Sequence, residues 1–137
     1  MDAEVIGDDD WLLRRIPPWH LPHESQNEPG GSSQTIRPPS PAFALDRGET
    51  GLSFHLESSL RAAGEPLSYG CPDGEPGWAV TRISVSTVRA MGHDVVRDDQ
   101  PHHVLLLGLA DLKGTALKRA QREIARQSSY VIRPLVG

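Results

Sequence analysis

Cysteine is nearly missing from this chain of 137 residues: Cys71 stands alone, in the turn-rich run SYGCPDGEPG. A single cysteine excludes an internal disulfide and any multi-cysteine zinc site. No base lies close to it in sequence to activate the thiol. Aromatic residues make up 5% and apolar residues 37%, so the core is expected to be thin. No apolar run approaches the roughly 20 residues of a membrane-spanning helix, and the chain opens Met-Asp-Ala-Glu instead of with a basic signal region. These absences lead to the expectation of a cytoplasmic protein without membrane attachment. A basic stripe is also lacking, with 14 Lys and Arg against 18 Asp and Glu and a net charge of −4, which argues against general nucleic-acid binding.

Proline and glycine are plentiful instead, at 12 and 13 residues, so part of the chain is expected to be irregular. The length suits one domain. Charge is uneven: residues 1–60 carry ten acids and four bases, residues 101–137 two acids and six bases. Residues 1–10 read as an acidic, flexible N-terminus. Residues 11–137 read as one α+β domain with a long Pro/Gly/Ser-rich loop at 17–35, a length that in compact domains is usually functional or disordered.

The stretch 36–60, IRPPSPAFALDRGETGLSFHLESSL, is the best-specified part of the chain. Pro38 and Pro39 hold Arg37 extended. Ser40 and Pro41 read as an N-cap and first-turn proline, giving one helical turn over 41–44. Leu52, Phe54 and Leu56 alternate with Ser53, His55 and Glu57, which predicts a half-buried strand with those three polar residues on one face, each roughly 6.6 Å from the next. Ser58 or Ser59 can cap a short helix that Gly64 closes.

Elsewhere, residues 11–16 read as a first strand stopped by Pro17 and Pro18. Residues 78–85 form a strand with Ala79, Thr81, Ile83 and Val85 inward. Ser86 caps a short helix over 87–91, and 93–96 form a short strand. The run VLLL within 102–107 predicts a strand buried on both faces. Thr115 caps the longest helix, to about residue 127, with Leu117, Ala120, Gln121, Ile124 and Ser128 inward. A final strand covers 130–132. The fold class is therefore α+β: a single small domain with a mixed sheet of four to six strands, one long C-terminal helix and several short helices.

Candidate chemistry is spread thinly. Residues 108–115, GLADLKGT, follow a strand and open a helix as a phosphate loop does, but the order Lys-Gly-Thr departs from Gly-Lys-Thr, leaving an anion site at Lys113, Gly114 and Thr115 or an ordinary helix cap. His55-Leu56-Glu57 copies half of a zinc deaminase signature whose Pro-Cys-x-x-Cys half is absent, so that reading is rejected. His102 and His103, as adjacent strand residues, should face opposite sides, with one able to join His55. No metal site and no cofactor are expected. Lys118, Arg122 and Arg126 form a like-charged i, i+4 row, either a solvated face or a surface for docking an acidic partner, with Arg119–Glu123 compensating locally.

Arg14-Arg15-Ile16, the segment Ile36-Arg37-Pro38-Pro39-Ser40 and the strand ending at Glu57 together resemble ADP-ribosyltransferase-like NAD-cleaving toxins. That resemblance implies Arg15 as the phosphate arginine, Ser40 as the middle serine and Glu57 as the acid that stabilises the ribosyl cation. The enzyme reading needs a pocket where Arg15 or Arg37 meets His55 and Glu57. The order R-R-I-x-P, R-P-x-S-x-A-F, G-L-S is similar to a group of small bacterial proteins to which no function is attached, and implies one compact domain. The leading expectation is a small bacterial cytoplasmic module without catalytic activity that works with another protein, since a thin core, an irregular proline segment and uneven charge fit a chain completed by a partner; a homo-oligomer is left open. The alternatives are an NAD-processing enzyme and a small-ligand or anion sensor.

Overall fold

The computed structural model describes residues 6–18, 38–45, 48–71 and 77–132. Arg37 and most of the 17–35 loop lie outside the described residues. Six strands form one sheet in the order β4-β5-β2-β1-β3-β6, where β1 is Trp11–Ile16, β2 Leu52–Leu56, β3 Ala79–Ser84, β4 Val95–Arg97, β5 His103–Leu106 and β6 Ser129–Ile132. Three helices complete the α+β domain: α1 Glu57–Ala63, α2 Val85–Ala90 and α3 Gly114–Gln127. Every pairing between the described strands is antiparallel.

Period-two alternation gives the sheet two unlike faces. On the first, Leu12, Ile16, Leu52, Phe54, Leu56, Ile83, Val104 and Leu106 form the main core. Each such side chain contributes about 1.5–3 kcal/mol on burial. This face is covered by α2 through Val85 and Val88, by α3 through Ile124 and Ala125, and by a 3₁₀ turn, Ser40–Phe43, through Ala42 and Phe43. The 3₁₀ turn and α3 pack on each other. Arg14 ties the turn to β1 by donating from Nε to the Ala42 carbonyl at 2.7 Å.

The second face is covered more sparsely. Leu13, Val80 and Leu60 of α1 form a small cluster with Leu67, Tyr69 and Cys71 against it. A face with so little apolar cover leaves room for polar side chains to gather. Among the described residues, no helix is long and apolar enough to cross a membrane.

Several local expectations shift. β2 ends at Leu56, and Glu57 is the first residue of α1, so Ser53, His55 and Glu57 do not continue one strand face. No serine side chain caps α1 at its N-cap, Leu56; Asp10 arrives from before β1 and accepts from the Ser58 N–H at 3.2 Å and from the Ser58 hydroxyl. Gly64 closes α1 in the left-handed conformation, as its position suggests. Ser84, two residues before the expected cap, accepts from the Thr87 N–H at 3.1 Å and starts α2 at Val85. The expected turn at 41–44 is the 3₁₀ turn, capped by Pro39 instead of Ser40. The N-cap of α3 is Lys113, not Thr115, and carries no side-chain cap; at the other end the Ser128 hydroxyl donates to the Ile124 carbonyl at 2.7 Å.

Candidate functional site

β1 pairs with β3 along its whole length, from Trp11↔Ser84 to Ile16↔Ala79. It pairs with β2 only at Leu12↔Leu56 and Leu13↔His55. Beyond that point β2 keeps its ladder with β5, through Leu52↔Leu106, and lets go of β1. The two central strands therefore splay. Arg14 spans the gap by donating from Nη1 to the Ser53 carbonyl at 2.8 Å, a side chain replacing the missing backbone donor.

A cleft of about 230 Å³ opens at this splay, lined by Arg14, Arg15, Glu49, Ser53, Phe54, His55, Trp78 and His103. Its lining combines two guanidinium groups, two imidazoles, one hydroxyl and one carboxylate with the rings of Trp78 and Phe54. Arg14 also lies over the Phe43 and Phe54 rings, at 5.8 and 5.9 Å from their centroids. Arg15 is held from the other side by the Gly70 carbonyl. Gly70 has φ of 88°, and a Cβ there would sit 2.7 Å from Arg15 Nη1, so only glycine lets the arginine lie across this turn.

The sequence-predicted residues divide between places. Arg15 and His55 meet in the cleft. Ser40 opens the 3₁₀ turn and is not among the residues lining the cleft. Glu57 is buried and turned to cations: Arg61 donates to Oε2 from Nη2 at 2.7 Å and from Nε at 2.8 Å, and Arg82 Nη1 lies 3.8 Å from Oε1. Arg82 itself stacks 4.0 Å from the Trp11 ring centroid. Glu57 thus fastens α1 to β3 and is not part of the cleft lining. Of the three residues that the NAD-cleaving resemblance would assemble, Arg15 lines the cleft, whereas Ser40 in the 3₁₀ turn and Glu57 at the start of α1 do not. Arg37 lies outside the described residues.

Histidines gather where alternation alone would not put them. His55 and His103 are cross-strand partners, with ring centroids 5.8 Å apart. The Tyr69 ring stands edge-on to both His55 and His102, at 5.2 Å from each. His102 therefore shares the side of His103 instead of facing away from it. The reason is its backbone: φ of 64° makes it the one non-glycine residue with positive φ among those described, and the strand starts only at His103. His102 Nδ1 is bound to the Ser59 hydroxyl at 2.7 Å, and His103 Nδ1 to Asp98.

Burial, reinforced by the Arg15, His103 and His102 charges, pushes His55 down to about 4, with Asp98 opposing weakly, so the ring is neutral at physiological pH. Desolvation works against the Asp98 carboxylate, but the Gln100 N–H and His103 outweigh it and hold the carboxyl below its ordinary range. Burial raises the Cys71 thiol against the opposing pull of Arg15, which is the reverse of an activated nucleophile. Among the described residues no group of three or more His, Cys, Asp or Glu side chains is placed to hold a metal ion.

The remaining candidates sit on α3. Lys113 occupies its N-cap position in extended conformation, Gly114 follows with φ of 57°, and Lys113 and Thr115 are exposed. Lys118, Arg119 and Arg122 are exposed as well. Arg126 is engaged differently from expectation: Glu123 pairs with it at 2.8 Å, not with Arg119, because i, i+3 geometry lets the guanidinium fork reach both carboxylate oxygens.

Trp78, Glu49 and Arg14 are cleft residues that sequence reasoning missed. Only Arg14 carried a signal, an arginine placed among strand residues whose neighbours Leu12 and Ile16 face the core. No protein-family model matches the chain, and neither a curated protein nor a solved structure matches it.

Proposed function

We propose that the protein is a non-catalytic binding module whose site is the cleft between β1 and β2, and that it takes a small molecule bearing an anionic group. The observation that carries this reading is the splay itself. A sheet that interrupts its central ladder after two residue pairs forgoes backbone hydrogen bonds, and here the opening is lined by Arg14 and Arg15. Guanidinium groups recognise carboxylate, phosphate or sulfate oxygens through planar paired donors. Trp78 and Phe54 supply apolar surface for the remainder of the ligand, and Ser53 a hydroxyl. The one carboxylate in the lining, Glu49, favours a ligand that also presents a donor.

The test is a thermal-melt screen of wild type and Arg15→Gln against small carboxylates, sulfates, phosphates and nucleotides. A ligand that binds only the folded state raises the melting temperature, by an amount that grows with its concentration over Kd. The expected result is at least one anion that stabilises wild type and leaves Arg15→Gln unmoved. A panel that shifts neither protein, or both equally, removes the cleft as the site.

A second reading keeps the protein partner. The exposed Lys118, Arg119 and Arg122 lie on the solvent side of α3 and suit an acidic protein surface. Reversing Lys118 and Arg122 to glutamate would weaken such an association and flatten its salt dependence, whereas the anion screen would be unaffected.

A further inference from the structure

We propose that the cleft takes up its anion together with a proton, and that His55 is the side chain that accepts it. This rests on the cleft reading above and adds how its occupancy is regulated. His55 lies on β2, in register with Leu13 of β1 and His103 of β5, and shares the cleft lining with Arg15. Its ring contacts are the edge-on Tyr69 and His103, and among the described residues its nitrogens have no hydrogen-bond partner. His102 and His103, in contrast, have Nδ1 committed to Ser59 and Asp98. His55 is thus the histidine of the three with both nitrogens available to a ligand.

The groups around it explain why an anion changes its protonation. Arg15 acts on it from β1, His103 from β5 and His102 from the turn before β5, all cationic or able to become so, while Arg14 lines the same cleft with its guanidinium over Phe43 and Phe54. Tyr69 packs on it from the turn at 65–71, and burial raises the nearby Cys71 thiol. Glu49 lines the cleft, and Asp98 acts from behind His103, to which it is bound. In the empty cleft, burial and the neighbouring cations oppose a further positive charge on His55, which stays neutral down to about pH 4. An anion between Arg15 and His55 reverses the sign of the local field and accepts a hydrogen bond from the imidazolium. Both effects favour the protonated ring. The proton comes from solvent, so binding and proton uptake are one linked equilibrium, reciprocal by necessity.

Inorganic sulfate is a suitable probe because it stays dianionic throughout the range used and contributes no titration of its own. Its Kd is measured by calorimetry at about pH 8 and about pH 5.5, in buffers of different ionisation enthalpy, for wild type and His55→Asn. In wild type, affinity is expected to rise roughly tenfold between the two, with uptake of roughly one proton per sulfate at the lower pH. His55→Asn is expected to bind with the weak, nearly pH-independent affinity of the neutral ring. The ring signals of His55 in wild type, followed by NMR, should titrate at higher pH with sulfate than without, a readout that does not depend on the variant folding. Sulfate binding of equal strength at both pH values, a slope that persists in His55→Asn, or a His55 titration unmoved by sulfate would each overturn the proton coupling while leaving the cleft reading intact. No binding at either pH, with resonances of the cleft residues unshifted, would overturn both.

Discussion

His55 and His103 stand directly opposite each other on neighbouring strands, and only His103 has a carboxylate, Asp98, bound to its ring. Two imidazoles in cross-strand register cannot both carry charge cheaply. The pair is therefore asymmetric by construction: one ring is anchored beside an acid, the other neutral and buried against Arg15. That asymmetry sets the first prediction.

Stability should fall on mild acidification. The His55 ring titrates at 6.5 in its ordinary state and at about 4 in the fold, so between these values the unfolded chain binds more protons than the folded one. The contribution is fully present above pH 6.5 and is lost as pH falls through that window towards about 4. Its size is on the order of 1–3 kcal/mol. Denaturant melts of wild type and His55→Asn at intervals through the window check it. The difference between the two proteins should narrow as pH falls; a constant difference would show that His55 does not titrate in that window.

The core prediction concerns Leu106, fully buried on β5 and in register with Leu52 on one side and Val95 on the other. Leu106→Ala should cost about 2–5 kcal/mol through lost burial and the cavity it leaves. Leu106→Asp should cost more by placing an unpaired charge there. A cooperative melt left unmoved by Leu106→Asp would remove β5 from the centre of the core.

Asp10 gives a third. It accepts the N–H of Trp11 at 2.8 Å and that of Ser58 at 3.2 Å, and so joins the start of β1 to the first turn of α1. Asp10→Ala should lower stability by about 1 kcal/mol, the scale of a lost helix cap. Asp99→Ala, at an exposed position, should stay within about 0.5 kcal/mol of wild type. Equal effects from the two would deny Asp10 this role.

Much of the fold is readable along the chain because local pattern and burial agree. Leu52, Phe54 and Leu56 alternate because one side of β2 faces the main core; in VLLL only Val104 and Leu106 are buried and Leu105 and Leu107 are half-buried, so β5 is covered on one face and not on both as its run suggests. The site is harder to read for equally physical reasons. Whether β1 and β2 splay depends on register between segments some 40 residues apart, which no local pattern encodes. His102 joins the histidine cluster through a left-handed backbone that nothing in the residues around it demands. The cap of α1 is an aspartate more than 45 residues upstream, while the serines beside the helix looked sufficient. Alternation also carried Glu57 one residue too far: the helix begins there, and a side chain predicted on the strand face turns to Arg61.

Glu57 therefore separates an NAD-cleaving enzyme from a binding module. In the enzyme reading its carboxylate acts on a ribosyl cation, so Glu57→Gln would abolish nicotinamide release and leave folding nearly intact. In the structure Glu57 is 5% exposed, paired with Arg61 and close to Arg82, and none of these three residues lines the described cleft. Removing its charge leaves a buried amide beside two arginines that solvent still reaches, Arg61 and Arg82, at an expected cost of about 1 kcal/mol. Glu57→Gln should consequently melt earlier than wild type, and neither protein should release nicotinamide from NAD. Arg82→Leu should lower stability in the same direction, and the double variant should lose less than the sum of the two, as coupled partners do. Release by wild type that vanishes in Glu57→Gln, with the melt unchanged, would assign the carboxylate to chemistry instead of to the docking of α1.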